Sequence, residues 1–301
     1  MKFLVSGASG MIGTEIVSRL TASGGEVIRL TRSASSPDGA RIHWNPEADE
    51  APELPEMEFD AVIHLAGENI ASGRWNEERK ARIRESRVNG ARLLSGALAR
   101  LKHPARALVG ASAVGYYGDR GDEILDEESS AGRGFLASVC RDLEAEIALA
   151  GERGTRTVSL RFGVVLSERA GALRAMLRPF RAGLGGALGS GRQYMSWITL
   201  EDAARAIEHC VRTEPLRGPV IGASPQPVTN REFVQSLGRV LGRPAALRVP
   251  SFALRFALGE MADELLLGSQ RVHPTQILST RFVFLNPDLE GALRSLLGRA
   301  S

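Results

Sequence analysis

The chain has 301 residues, 43% hydrophobic and 24% charged, with 38 basic against 35 acidic side chains, the make-up of a globular protein of one large or two modest domains. Only Lys2, Lys80 and Lys102 are lysines, and the arginines lie scattered beside acids, as in Glu77-Glu78-Arg79-Lys80, so no basic stripe points to a nucleic-acid partner. Two isolated cysteines (Cys140 and Cys210), histidines without metal-ligand spacing, and no apolar run near the roughly 18 residues of a membrane span give the expectation of a cytoplasmic protein with no metal and no membrane partner.

Lys2 to Val5 is a short apolar strand that runs into Gly7, Gly10 and Gly13 at strict spacing. From Met11 the apolar positions Ile12, Ile16, Val17 and Leu20 recur with a helical period. Strand, glycine turn and helix form the context of a dinucleotide fingerprint. Gly7 would permit the tight turn, Gly10 the close approach of a pyrophosphate, and Gly13 close packing of helix on sheet. The helix start offers N–H groups and its positive dipole end to phosphates, and Ser9, Met11 and Ile12 join the glycines as cofactor-binding residues. Glu26 to Arg32 reads as the second strand. An NAD site places an acid at its end, whereas Thr31, Arg32 and Ser33 stand here. A guanidinium fork suits a 2′-phosphate, so the expected cofactor is NADP(H).

Residues 33–58 are rich in Ser, Pro, Ala and Glu, with one strand-like run at Ile42-His43-Trp44. Asp60 to Gly67 is a continuous apolar strand suited to a parallel sheet. A helix over about 76–101, a strand over 105–113, a helix over about 134–150 and a strand over 157–166 follow. This alternation predicts an α/β fold, a Rossmann-like doubly wound parallel sheet over 1–170. From Gly171 the pattern shifts to a smaller C-terminal α/β substrate lobe over 171–301, with some elements from about 195–223 able to return to the first domain. Thr199 reads as an N-cap and Thr229-Asn-Arg-Glu232 as a capping box, and residues 251–267 read as one helix. The cleft between the lobes would hold a small-molecule substrate.

Gly7-x-x-Gly10-x-x-Gly13, Val62 to Gly67, Tyr116-Tyr117-Gly118 and Gly189 to Asp202 together resemble the extended short-chain dehydrogenase/reductases, the NAD-dependent epimerase/dehydratase superfamily, along the whole chain. Leu65 to Ile70, Gly73 to Asn76, Glu85-Ser-Arg87, Gly186 to Gly191 and Asn286 to Leu289 resemble its atypical branch of epimerase family proteins, or nucleoside-diphosphate-sugar epimerases. That branch carries a C-terminal domain of unknown function, here at about 249–297. The resemblance implies NADPH binding, with Leu65, Ala66 and Gly67 along the adenine-ribose and Val164 to Leu166 beside the nicotinamide. It also implies Arg87 at the 2′-phosphate or pyrophosphate.

The wider family works with a Tyr-x-x-x-Lys pair and a nearby hydroxyl. No such pair exists here, because Arg120, Gly121 and Ile198 stand four residues beyond Tyr116, Tyr117 and Tyr194. Phe135 falls near the tyrosine position and Val139 or Cys140 near the lysine. Tyr116, Tyr117 and Ser112 are the substitute catalytic candidates. Gln193, Trp197 and Arg161 are the substrate candidates, Arg161 having a buried salt bridge as its alternative role. His64 reads as a satisfied core residue and Asp202 as first-turn helix charge. Two functions stay open: an NADP(H)-dependent oxidoreductase or epimerase-like enzyme on a small polar substrate, a sugar nucleotide among the candidates, and a non-catalytic NADP(H)-binding redox-sensing module. A homodimer is also left open.

Overall fold

The computed structural model describes residues 1–299. The chain begins β1 (Lys2–Ser6), α1 (Met11–Ala22), β2 (Glu26–Thr31), β3 (Arg41–His43), β4 (Ala61–His64), α2 (Glu77–Ala99), β5 (Ala107–Ala113), β6 (Ile124–Leu125), α3 (Phe135–Leu149) and β7 (Arg156–Phe162). It continues β8 (Val164–Leu166), α4 (Gly171–Arg181), β9 (Gly186–Leu188), β10 (Tyr194–Met195), β11 (Trp197–Thr199), α5 (Leu200–Arg212), β12 (Gly218–Gly222), β13 (Val228–Thr229) and α6 (Asn230–Leu241). β14 (Leu247–Val249), α7 (Ser251–Leu258), α8 (Glu260–Ala262), β15 (Arg271–Val272), α9 (Thr275–Ser279) and α10 (Leu289–Leu296) complete it. Seven strands form one parallel sheet in the order β12-β7-β5-β4-β1-β2-β3, the Rossmann-like arrangement read from the sequence.

Alternation along the strands builds a core on each face of this sheet. Phe3 and Val5 pack with Ile16, Leu20 and Ile207 on the α1 and α5 side, while Leu4 packs with Leu94, Leu98 and Ile147 on the α2 and α3 side. Each such side chain contributes about 1.5–3 kcal/mol on burial. A third core, around Leu177, Phe180, Trp197, Phe233, Leu237 and Leu293, holds the smaller lobe.

The structure parts from the sequence reading at two glycines. The 157–166 run splits at Gly163, where a Cβ would come within 2.7 Å of the Ser196 carbonyl oxygen; β8 therefore leaves the main sheet and pairs with β11. The 251–267 run breaks at Gly259, whose φ of 64° is left-handed, into α7, α8 and a π-turn over Asp263–Leu267. After the crossover through the smaller lobe, α5 packs beside α1 with an Arg19–Glu208 ion pair of 2.9 Å, and β12 adds to the edge of the sheet at β7. The capping box at Thr229 and Glu232 forms as the sequence indicates.

Candidate functional site

The glycine turn sits at the C-terminal edge of the sheet, between β1 and α1. Gly7 has φ 70°, and a Cβ there would lie 2.6 Å from the Leu65 carbonyl carbon and 2.7 Å from the Ala66 nitrogen. At Gly13 a Cβ would lie 2.1 Å from the Gly7 carbonyl oxygen, so α1 rests directly on the turn. Gly10 begins the helix, its N–H donating to the Gly7 oxygen at 3.0 Å. α1 starts at Met11 without a side-chain cap and without an acid in its first turn. Its leading N–H groups and dipole are therefore left for an anion. Ser9 is exposed here, Met11 and Ile12 are half-buried, and the Leu65-Ala66-Gly67 backbone closes the side of the turn.

Two arginines border this edge. Arg32 follows Thr31 at the end of β2 and is 78% exposed, with the Glu47 carboxylate 3.9 Å away, an exposed contact of at most about 1 kcal/mol. Arg87, on α2, stands over the backbone at Gly67, where a Cβ would touch its guanidinium carbon at 3.2 Å. Arg87 makes no salt bridge among the described residues; its Nη1 donates to the Ile83 carbonyl at 3.3 Å. Burial lowers its pKa, an effect partly offset by Cys140 and Glu68. A half-buried cation without a carboxylate, beside a turn that presents N–H groups, is the chemistry of a phosphate site. Beneath the two arginines, buried His64 has Nδ1 2.6 Å from Ser6 Oγ, but its Nε2 has no partner, so it is only half satisfied.

Beyond β5 the structure assigns several candidates to a packed polar network instead of an open site. Arg161 is 2% exposed and holds Glu144 on α3 through Nε at 2.9 Å and Nη2 at 2.7 Å. Burial works against the Arg161 charge, but the Glu144 carboxylate outweighs it and raises its pKa. Arg161 thus makes the buried salt bridge that the sequence offered as its alternative role. Ser112 donates to Glu144 Oε1 at 2.6 Å, which spends its hydroxyl. Tyr117 is fully buried; it donates to the Asp126 carbonyl at 2.8 Å and accepts from Arg161 Nη1 at 2.9 Å. Burial pushes its phenol well above the usual tyrosine value. Tyr116 differs: it is half-buried, with the Arg161 guanidinium 3.4 Å from its ring centroid.

The helix that would carry the Tyr-Lys pair has other occupants. Phe135 stacks edge-on against Trp75 at 5.2 Å. Burial lifts the Cys140 thiol to about 11, so it stays protonated near neutral pH. Glu264, from the C-terminal segment, accepts from the Phe135 and Leu136 nitrogens at 2.8 and 3.2 Å and caps α3. A cavity of about 180 Å³ lies beside this cap, lined by Gly115, Gly118, Arg133, Arg255, Glu264 and neighbours. Gln193 and Trp197 do not reach it as free groups. Gln193 Nε2 donates to the Leu188 and Leu266 carbonyls, and fully buried Trp197 donates to the Gln226 carbonyl at 3.1 Å. The Leu166 side chain is likewise enclosed in the smaller lobe's core, whereas Val164 stays half-buried. Thr199 caps α5 by accepting from the Asp202 nitrogen at 3.2 Å, and the Asp202 carboxylate accepts from Arg205 and from the Leu285 and Asn286 nitrogens.

Glu144, which pairs with Arg161, and Glu264, which caps α3, are the buried-network carboxylates that sequence reasoning missed. Glu144 carried a usable signal, since it lies one helical turn from Cys140 and both meet Ser112 of β5. Glu264 carried none, because it acts across 129 residues of chain.

A glycine-turn dinucleotide fold with an arginine-flanked edge is the class these features define. Its family profile agrees: that of the NAD dependent epimerase/dehydratase family matches residues 3–220, and a domain of unknown function (DUF1731) matches 249–296. The chain belongs to the NAD dependent epimerase/dehydratase family. It is 44% identical over 289 residues to an epimerase family protein of Mycobacterium bovis, covering 96% of this chain and 95% of that one. It is 37% identical to the human epimerase family protein SDR39U1, over 99% of this chain and all of the relative. The crystal structure of that human protein (isoform 2) with NADPH superposes with a TM-score of 0.91 at 35% identity, covering both chains completely. A nucleoside-diphosphate sugar epimerase from Corynebacterium glutamicum superposes with a TM-score of 0.80 at 32% identity, over 99% of this chain and 58% of that one.

Proposed function

We propose that this chain is an NADP(H)-dependent oxidoreductase or epimerase-like enzyme acting on a small polar substrate with a carbonyl or hydroxyl group. The observation that carries the reading is the pair of cations at the cofactor edge: Arg87 without a carboxylate, and exposed Arg32 where an NAD site would hold an acid. The human relative, solved with NADPH, supports it. The glycine turn and the start of α1 would hold the pyrophosphate, Arg32 the 2′-phosphate, and Arg87 a second anionic group. NADPH, when bound, supplies hydride to the substrate carbon. Tyr116, between the cavity-lining Gly115 and Gly118, is the phenol left to hold or move a proton at its hydroxyl, and Arg161 fixes its ring. The test is NADPH oxidation against a panel of small carbonyl compounds and sugar nucleotides, with Tyr116→Phe as control. Turnover that falls at least tenfold in the variant is expected from the loss of general acid–base catalysis. A second reading, a non-catalytic NADP(H)-binding regulatory module, is favoured by one observation: the Ser112 and Tyr117 hydroxyls are both consumed by the Glu144–Arg161 network. Tight NADPH binding with no turnover on the whole panel would select it.

A further inference from the structure

Two long segments of this chain contain no carboxylate. Residues 169–200 and 233–259 carry nine arginines and no Asp, Glu or Lys, although basic and acidic residues nearly balance over the whole sequence, 38 to 35. The fold brings the two segments into one lobe. β9 pairs with β14, the backbone of Gly186 lies against Leu247, and Gly183 lies against Pro244. Pro250 then leads from β14 into α7. Arg169, Arg239 and Arg255 find Glu15, Glu290 and Asp263. Arg174, Arg178, Arg181, Arg192, Arg243 and Arg248 are exposed and make no salt bridge among the described residues.

The same lobe carries large apolar side chains in solvent. Phe256 is 86% exposed, Phe252 73%, Leu184 62% and Leu247 50%. Phe252 and Phe256 are four residues apart on α7, so they share a face, and none of the eight residues of that helix is buried. Unpaired cations and protruding aromatic side chains on one lobe are the chemistry of an interfacial surface, where the apolar groups enter the headgroup boundary and the cations meet lipid phosphates. A second copy of the chain fits this surface poorly, since facing lobes would bring two sets of unpaired guanidinium groups together. A nucleic acid would satisfy the arginines but leave Leu184 and Leu247 uncovered.

We infer that the lobe formed by α4, β9, β14 and α7 docks on an anionic lipid surface, with Phe252 and Phe256 inserted and the unpaired arginines on the lipid phosphates. The absence of a membrane span from the sequence does not oppose this, because a helix lying in the interface needs none. The test is co-sedimentation of the full chain with vesicles of phosphatidylcholine alone or mixed with phosphatidylglycerol. Binding is expected only with phosphatidylglycerol and is expected to be released by high salt. Phe252→Ser with Phe256→Ser should weaken it about tenfold or more, and Arg178→Gln, Arg181→Gln and Arg243→Gln together on the order of a hundredfold. These exposed positions leave the fold intact, which melting by circular dichroism checks. The inference is overturned by equal sedimentation with phosphatidylcholine, by binding that the Phe variant leaves unchanged, or by no binding to phosphatidylglycerol vesicles at low salt. It is equally overturned if an oligonucleotide displaces the chain completely from the vesicles, which would mark a general polyanion surface.

Discussion

His64 makes the sharpest test of the packing beneath the cofactor edge. It sits opposite Ser6 in the β1–β4 register, 2% exposed, with Trp44 6.1 Å away ring to ring and Nε2 without a partner. Burial first, and the Arg87 guanidinium second, hold the imidazole at about 4 instead of 6.5. Between those values the unfolded chain binds a proton that the folded chain refuses, so stability is full above 6.5 and falls as the pH drops toward 4. The whole difference is about 3 kcal/mol. The assay is urea unfolding followed by tryptophan fluorescence across that pH range, for the native chain and for His64→Asn, whose shorter amide can still meet Ser6. The variant should start less stable at neutral pH, because it loses ring volume from a packed site, and should lack this acid-side loss, so the two curves converge toward pH 4. An equal pH slope in both proteins, or a His64 titration by NMR near 6.5, would refute the reasoning.

Other perturbations follow from the same geometry. Arg87→Met should weaken NADPH binding by about 2 kcal/mol, the scale of a charged hydrogen bond, while leaving urea stability equal or higher, since a desolvated cation is removed; isothermal titration and unfolding read the two effects separately. Glu144→Ala should cost about 3–5 kcal/mol of stability, because Arg161 is left buried without its counter-charge. Glu127 is 5% exposed with Oε2 unpartnered, and burial raises its pKa above 4.5. Its folded-state contribution is therefore present below 4.5 and lost as the pH rises, so Glu127→Gln should be the more stable protein at neutral pH, with the gap closing toward acid. Gly13→Ala should abolish NADPH binding in the same titration, because its Cβ would force the Gly7 carbonyl out of the turn.

Much of the nucleotide half was legible because its signals are local. The Gly7, Gly10 and Gly13 spacing, the apolar run at 61–64 and the acid-free end of β2 each express a constraint within a few residues, and each appears in the structure where the sequence places it. The substrate side was less legible because its contacts are distant in sequence. Arg161 looked equally like an anion receptor and a structural ion pair until α3 brought Glu144 to it from 17 residues away. Gln193 and Trp197 stand in a stretch whose resemblance to the superfamily made them substrate candidates, yet backbone carbonyls distant in sequence consume their side-chain N–H groups. The apolar run at 251–267 has a helical period throughout, and only the left-handed backbone at Gly259 breaks it.

The central claim is that the acid-free strand end and its arginine select the phosphorylated cofactor. Isothermal titration of NADPH and NADH into the native chain and into Arg32→Ala tests it most directly. NADPH should bind at least about tenfold tighter than NADH to the native chain, as a charge-assisted phosphate contact of roughly 1.5–3 kcal/mol requires. Arg32→Ala should remove most of that advantage while leaving NADH binding unchanged. Equal affinities for the two cofactors, or an Arg32→Ala variant that loses both in the same proportion, would contradict the account.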